Sequence, residues 1–145
     1  MIRLSFLKTK FDERFGQFSP DGRWVAYEAN ASGQFEIYVR PFPGPGGQWQ
    51  ISTSGGTWAR WSPNGKELYY IAPDGNLMAA PISVNGPTLE PGEAHTLFHP
   101  RILSGNFSPK QQYDVGPDGR FLINVTEDAP ATPITLLLNW KAQGK

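Results

Sequence analysis

The chain has 145 residues, with 13 Lys and Arg against 13 Asp and Glu, and it contains no cysteine. The balanced charge without a basic block argues against a dedicated nucleic-acid or anionic-membrane surface, and the missing cysteine excludes disulfides and thiolate metal sites. With 16 Gly and 14 Pro beside an aromatic share of 13%, the composition indicates many short strands joined by tight turns rather than disorder.

The N-terminal residues alternate between apolar and polar types, which fits neither a signal peptide nor a membrane span. Alternation of this kind predicts a strand from Ile2 to Thr9. The compartment stays unknown from this chain, and a larger exported parent protein would place it in the periplasm.

A hairpin motif then occurs three times along the chain. Each copy has Pro at the first corner of a turn, Asp or Asn to bond neighbouring backbone N–H groups, and Gly to adopt a positive φ. The turn glycines are Gly22, Gly65 and Gly119. The motif therefore predicts three hairpins whose second arms are the strands Trp24 to Glu28, Glu67 to Ile71 and Phe121 to Val125.

The spacing of the motifs indicates a repeat. Pro20 and Pro63 lie 43 residues apart, and Pro63 and Pro117 lie 54 apart. The first interval is typical of a four-stranded propeller blade and the second of a blade with an insertion. No stretch has a sustained helical period, so we expect almost no helix. Alternation predicts further strands at Gln34 to Phe42, Gln48 to Ser52, Asn76 to Ile82, His95 to His99, Tyr113 to Val115 and Ile134 to Trp140.

These elements predict an all-β chain of three four-stranded antiparallel blades, at residues 10–53, 54–100 and 101–145. Three blades are half of a six-bladed ring, so we expect a homodimer to close it. The third blade is one strand short. We therefore expect residues 1–9 to be a swapped closing strand that adds beside Ile134 to Trp140 of the other copy.

The repeats resemble the TolB-like, WD-repeat-like propeller family, and specifically the propeller regions attached to bacterial serine/threonine kinases and prolyl-oligopeptidase-type peptidases. The resemblance covers nearly the whole chain. It rests on the three hairpins, on RPFPGPGGQWQIS (Arg40 to Ser52) leading to GGTWARWSPNGKELYY, and on the final ITLLLNW. The chain departs from the family at Trp58, where a more polar residue is expected, and in the weakly patterned segment from Ser83 to Gln111.

No catalytic motif is visible: the chain has no G-x-S-x-G elbow, no Walker lysine loop and no kinase signature. His95 and His99 flank a predicted strand, where residues four apart are separated by roughly 13 Å, so they predict no metal site. We expect no cofactor. If Trp58 lies on an innermost strand, it could project towards the central channel together with Arg14, Arg60 and Asp114. These four are the candidate ligand-binding residues, and packing and salt bridging between blades is the alternative.

The leading functional hypothesis is a non-catalytic binding and assembly module that takes a protein or peptide ligand and has no nucleic-acid or membrane partner. One alternative is a purely structural propeller fragment whose chief property is self-assembly. Another is a hydrolase or lyase that uses channel residues. Fold analogy does not choose among them, because propellers support many unrelated activities.

Overall fold

The computed structural model describes residues 6–102 and 111–125, together with the backbone of a strand at 135–137. The described residues contain strands but no helix, as the composition predicts. The strands are β1 (Glu13–Phe18), β2 (Trp24–Ala29), β3 (Glu36–Pro41), β4 (Trp49–Gln50), β5 (Thr57–Trp61), β6 (Glu67–Ile71), β7 (Leu77–Asn85), β8 (Thr88–Pro91), β9 (His95–Phe98), β10 (Tyr113–Val115), β11 (Phe121–Ile123) and β12 (Thr135–Leu137). In this part of the chain no helix is long and apolar enough to cross a membrane.

The strands form three sheets, and every neighbouring pair is antiparallel. Sheet 1 has the order β1-β2-β3-β4, and sheet 3 has the order β10-β11-β12. Sheet 2 has the order β5-β6-β7-β8, with β9 pairing to the first half of β7. The all-β prediction is confirmed, whereas the number of blades, the closed ring and the dimer stay predictions.

The first two repeated hairpins close in the same way. The Ser19 N–H donates to the Trp24 carbonyl, and Ser62 makes the same bond to Glu67, both at 2.9 Å. In return, each serine hydroxyl accepts the N–H of that partner, at 3.0 and 2.9 Å. Gly22 and Gly65 have φ of 70° and 71°, as predicted, because the turn needs a conformation that side chains disfavour.

The third hairpin closes one residue earlier. Gly116 stands where the other motifs have serine, and its N–H bonds to the carbonyl of Arg120 rather than to that of Phe121. A glycine has no hydroxyl to accept the next N–H, so it does not hold the longer closure. Gly119 has the predicted positive φ, at 80°.

This shorter closure reverses the faces of β11. In the motif alignment Leu122 corresponds to Leu68, and Val115 corresponds to Trp61. Leu68 pairs with Trp61, so an equivalent register would pair Leu122 with Val115. Leu122 instead pairs with Asp114. A one-residue shift turns every side chain of a strand to the other face of its sheet. Phe121 and Ile123 consequently pack towards sheet 2, and Leu122 is 44% exposed.

Two hydrophobic clusters join the sheets. The first lies between sheets 1 and 2 and includes Trp24, Ile37, Leu68 and Tyr70. The second lies between sheets 2 and 3 and includes Tyr69, Leu77, Phe121 and Ile123. Sheet 2 is therefore buried on both faces, because successive residues of β6 alternate between the two clusters.

Some sequence expectations differ from the structure. The weakly patterned segment contains β8, which the sequence did not predict, and β7 continues to Asn85 to form a hairpin with it. Residues 6–9 lie outside any strand, and Leu7 packs against sheet 1 of its own chain. Residues 1–5, 134 and 138–140, which the swapped-strand prediction also involves, lie outside the described residues.

Candidate functional site

The innermost strands of sheets 1 and 2 carry matching backbone irregularities. Phe15 and Trp58, 43 residues apart, have φ of 55° and 56°, in the left-handed region that side chains rarely adopt. The ladder shifts register at both, between Arg14 and Gln17 in β1 and between Thr57 and Arg60 in β5. These are β-bulges, which bend a strand and redirect its side chains.

The bulge at Trp58 connects all three sheets through its backbone. Its N–H donates to the carboxylate of Glu28 in sheet 1. Its carbonyl accepts the hydroxyl of Tyr113 at 2.7 Å and the amide of Gln111 at 3.2 Å, both on the sheet 3 side. The indole itself is 8% exposed and lies in the second hydrophobic cluster, so Trp58 offers no open side chain to a ligand.

Glu28 is the most deeply buried charged group at this junction. Its side chain is fully buried and accepts a 2.7 Å bond from Nε of Arg14, whose guanidinium carbon lies 3.6 Å from the centre of the Phe35 ring. Burial raises the pKa of Glu28, and the bonds from Trp58 and Arg14 oppose that rise only in part. Both bonds require a carboxylate oxygen as acceptor, which fixes Arg14 against sheet 1.

A second ion pair joins sheets 2 and 3. Nε of Arg60 lies 3.0 Å from Oδ1 of Asp114, and Nη1 of the same guanidinium donates to the Ala59 carbonyl at 3.4 Å. The Arg60 side chain is 19% exposed and that of Asp114 is 67% exposed. An ion pair with one partner this open to water contributes little stability, about 0–1 kcal/mol. Another hydrogen-bond acceptor can therefore replace Asp114 as the partner of Arg60 at little cost.

Arg60 lines a groove of about 420 Å³ beside the ends of the innermost strands, which we call the inner-strand groove. Among the described residues that line it, Arg60 alone is charged. Phe18 and Trp61 stand at its apolar walls, and Phe18 is 58% exposed. The full lining is Gln17, Phe18, Pro20, Arg60, Trp61, Ser62, Pro63, Val115, Gly116 and Pro117.

The groove brings together positions that correspond in the three motifs. Gln17 and Arg60 occupy the same place in the first and second repeats, and Asp114, which bonds Arg60, occupies it in the third. The three hairpin prolines and the residues before each turn converge in the same way. Each repeat thus contributes one polar side chain to the innermost edge.

The structure divides the four residues that the sequence singled out. Arg60 and Asp114 lie together at the groove, Arg14 pairs with Glu28, and the Trp58 ring is buried. Sequence reasoning did not identify Gln17 or Glu28. The motif alignment carried the signal for Gln17, because it shares its position with Arg60, whereas nothing local in the sequence marked Glu28.

A larger cleft of about 710 Å³ lies between the outer parts of sheets 1 and 2. Its acidic side chains are Asp74 and Glu93, and both Asp74 oxygens already bond Asn76 within the turn. His99 also bonds Asn76, at 3.0 Å. Within residues 6–102 and 111–125 no three His, Cys, Asp or Glu side chains are grouped to hold a metal ion.

The chain is similar to known proteins in its structure rather than in its sequence. No protein-family model matches the sequence, and no curated protein matches it. Among the solved structures that match is a protein from Bacteroides uniformis described as a "putative 6-phosphogluconolactonase". The identity is 22% and the TM-score 0.48, and the match covers 82% of this chain but only 34% of that one.

This comparison contradicts two sequence-based predictions. We predicted a non-catalytic binding and assembly module and no enzymatic activity, but the matched structure is described as that of an enzyme. A non-catalytic role is therefore not retained. At 22% identity and a TM-score of 0.48, the activity named for that protein is not assigned to this chain. The resemblance to TolB-like propellers stays a prediction.

Proposed function

We propose that the three sheets are consecutive blades of a β-propeller and that the inner-strand groove binds a small organic molecule carrying a carboxylate or phosphate group. One observation carries the proposal: corresponding positions of three repeats converge on a groove in which, of the described lining residues, only Arg60 is charged. Propellers commonly bind ligands near the axis on which their innermost strands converge.

The chemistry of the groove supports an anionic ligand with an apolar or ring-shaped body. A guanidinium presents N–H donors in a planar arrangement that matches two oxygens of a carboxylate or phosphate. Phe18 and Trp61 supply apolar contact surface beside it, and the Gln17 side chain adds an amide. The volume of about 420 Å³ is within the range of small-molecule sites.

Asp114 competes with such a ligand. It holds Nε of Arg60 and is itself 67% exposed, so an arriving anion meets a negative charge next to its binding group. Replacing Asp114 by Asn keeps the side-chain size and removes that charge. We therefore expect Asp114→Asn to bind the anion more tightly and Arg60→Gln to bind it less.

The test measures binding of inorganic phosphate, gluconate and 6-phosphogluconate by calorimetry and by ligand-observed NMR. At least one probe should bind the parent protein, and Arg60→Gln should weaken it about tenfold or more, because a charge-assisted bond contributes roughly 1.5–3 kcal/mol. Lys66→Gln, an exposed residue of the second hairpin, is the control for the same change of net charge.

Two results would refute the proposal: no probe binds, or Arg60→Gln and Lys66→Gln bind equally well. Glu90→Gln, on the exposed part of β8, is the matching control for Asp114→Asn. Hydrolysis of glucono-δ-lactone, followed by proton release at constant pH, shows in the same preparations whether a bound ligand is also turned over.

A further inference from the structure

The large cleft between the outer parts of sheets 1 and 2 carries negative charge. Its volume of about 710 Å³ is within the range of small-molecule sites. Of the described residues that line it, only Asp74 and Glu93 are charged, and both are acidic. The cleft therefore attracts positive ligands, whereas the inner-strand groove attracts negative ones.

The protein uses the two carboxylates to different extents. One oxygen of Asp74 accepts the backbone N–H of Asn76 at 3.0 Å, and the other accepts the side-chain amide of Asn76 at 2.8 Å. Glu93 is exposed, and its side chain makes no hydrogen bond or ion pair within the described part of the chain. Glu93 is thus available to pair with a cationic ligand, and Asp74 adds to the negative potential around it.

A buried tyrosine hydroxyl also borders the cleft. Tyr70 lies on β6, is 5% exposed, and packs its ring into the first hydrophobic cluster. Its side chain lines the cleft, and its hydroxyl makes no hydrogen bond to any residue that the structure describes. Burial and the carboxylate of Glu36 raise the pKa of Tyr70, so the hydroxyl keeps its proton. A buried hydroxyl without a protein partner is stabilised when a ligand or a water molecule bonds it.

Much of the remaining wall is apolar. Ala72, Met78 and Ala94 pack against the first hydrophobic cluster and are only partly buried, so they present apolar surface to the cleft. Pro73 and Pro91 line it as well. A ligand that carries a ring covers this surface and removes it from water, which a small inorganic cation does not do.

We propose that this cleft binds a small organic molecule in which a protonated amine and a hydrogen-bonding oxygen are carried by one ring system. The amine pairs with Glu93, and the ligand oxygen accepts the hydroxyl of Tyr70. The cleft shares no lining residue with the inner-strand groove, so the inference does not depend on anion binding there.

The test measures binding of glucosamine and tyramine at pH 6 by calorimetry and by ligand-observed NMR. Glucose and tyrosol are the neutral counterparts, because each has a hydroxyl group in place of the amine. At least one amine should bind about tenfold or more tightly than its counterpart, because hydrogen bonds to charged groups are the strong ones. Glu93→Gln should remove most of this difference. Glu90→Gln, an exposed residue of β8 outside the cleft, makes the same change of charge and should preserve it.

Tyr70→Phe distinguishes a ligand contact from a structural role. This variant should bind the amine about threefold to tenfold more weakly. Its free energy of unfolding in urea should equal that of the parent, because the hydroxyl has no partner among the described residues. Tyr38→Phe is the matched control: Tyr38 is also buried, but it stacks with Tyr27 outside the cleft and should leave the affinity unchanged.

Three binding results would overturn the inference: neither amine binds, the amines and their neutral counterparts bind equally well, or Glu93→Gln and Glu90→Gln have the same affinity for the amine. A Tyr70→Phe variant that loses stability but keeps the parent's affinity would also overturn it, because the hydroxyl would then serve the fold instead of the ligand.

Discussion

The reversed face of β11 predicts a large difference in reactivity between neighbouring cysteines. The chain has no cysteine of its own, so a single introduced thiol reports on one position. Ile123 is 1% exposed and Leu122 is 44% exposed. If the third hairpin closed like the first two, Leu122 would face sheet 2 and Ile123 would face away from it.

The energy that favours the observed register follows from the side chains it buries. The alternative register would expose Phe121 and Ile123, at a cost of about 3–6 kcal/mol. It would recover about 1.5–3 kcal/mol by burying Leu122. It would also bury the Asn124 amide without a partner, at about 1–3 kcal/mol. The midpoints of these ranges favour the observed register by about 4 kcal/mol, or roughly a thousandfold in population.

Thiol labelling of the native protein with Ellman's reagent measures this preference. Leu122→Cys should react nearly as fast as Val84→Cys, an exposed control in another hairpin. Ile123→Cys should react at least about a hundredfold more slowly, because only the minor register or a local opening exposes it. Rapid labelling at position 123 together with protection at 122 would refute the reasoning.

Four further outcomes test the turns and the buried groups. Gly65→Val should lose about 1–2 kcal/mol of stability in urea unfolding, because φ at Gly65 is 71°. Gly16→Ala is the control and should change the stability little, because φ at Gly16 is negative and an added Cβ would lie 3.6 Å from its nearest neighbour. Ser62→Ala should cost about 1–3 kcal/mol, because the hydroxyl accepts the Glu67 N–H at 2.9 Å and donates to Asn64 at 2.8 Å; a neutral result would mean that the turn does not need it. Burial raises the pKa of Glu28 above its ordinary value of 4.5. The stability that this raised pKa contributes is fully present below pH 4.5 and is lost as pH rises through the raised pKa. Glu28→Gln should therefore show a smaller loss of stability than the parent between pH 4 and pH 8, and identical pH profiles would contradict the assignment. Burial raises the pKa of Tyr27 from 10.0 to about 12. Burial also raises the pKa values of Tyr69, Tyr70 and Tyr113, so the late component of a tyrosinate absorbance titration should be smaller in Tyr27→Phe than in the parent but still present. The stability that Tyr27 contributes is lost as pH rises through its raised pKa.

The hairpins could be predicted because their causes are local. Pro, Asp or Asn, and Gly within four residues determine a turn, and all three turn glycines have the predicted positive φ. Alternation located most strands for the same reason, since a strand with one apolar face shows its period in its own residues. It missed β8, a four-residue strand at Thr88–Pro91 whose partner is the extension of β7.

The candidate site could be predicted only in part. Arg60 and Asp114 were identified because an innermost-strand position would direct them towards the central channel, and in the structure Nε of Arg60 lies 3.0 Å from Oδ1 of Asp114. Glu28 was missed because its role depends on Trp58, 30 residues further along the chain. The pairing exists only after two sheets pack, so no local pattern marks it.

By itself, the sequence determined the all-β class, the three repeated turns and the strands that flank them, because these depend on backbone conformations that neighbouring residues impose. Only the tertiary structure decided which face of β11 is buried. Without a serine hydroxyl at Gly116 the third turn does not hold the longer closure of the first two hairpins, and burial of Phe121 and Ile123 against sheet 2 selects the shorter one. A one-residue shift costs little within a turn and several kilocalories per mole in a core, so packing between sheets, rather than the local motif, determined the register.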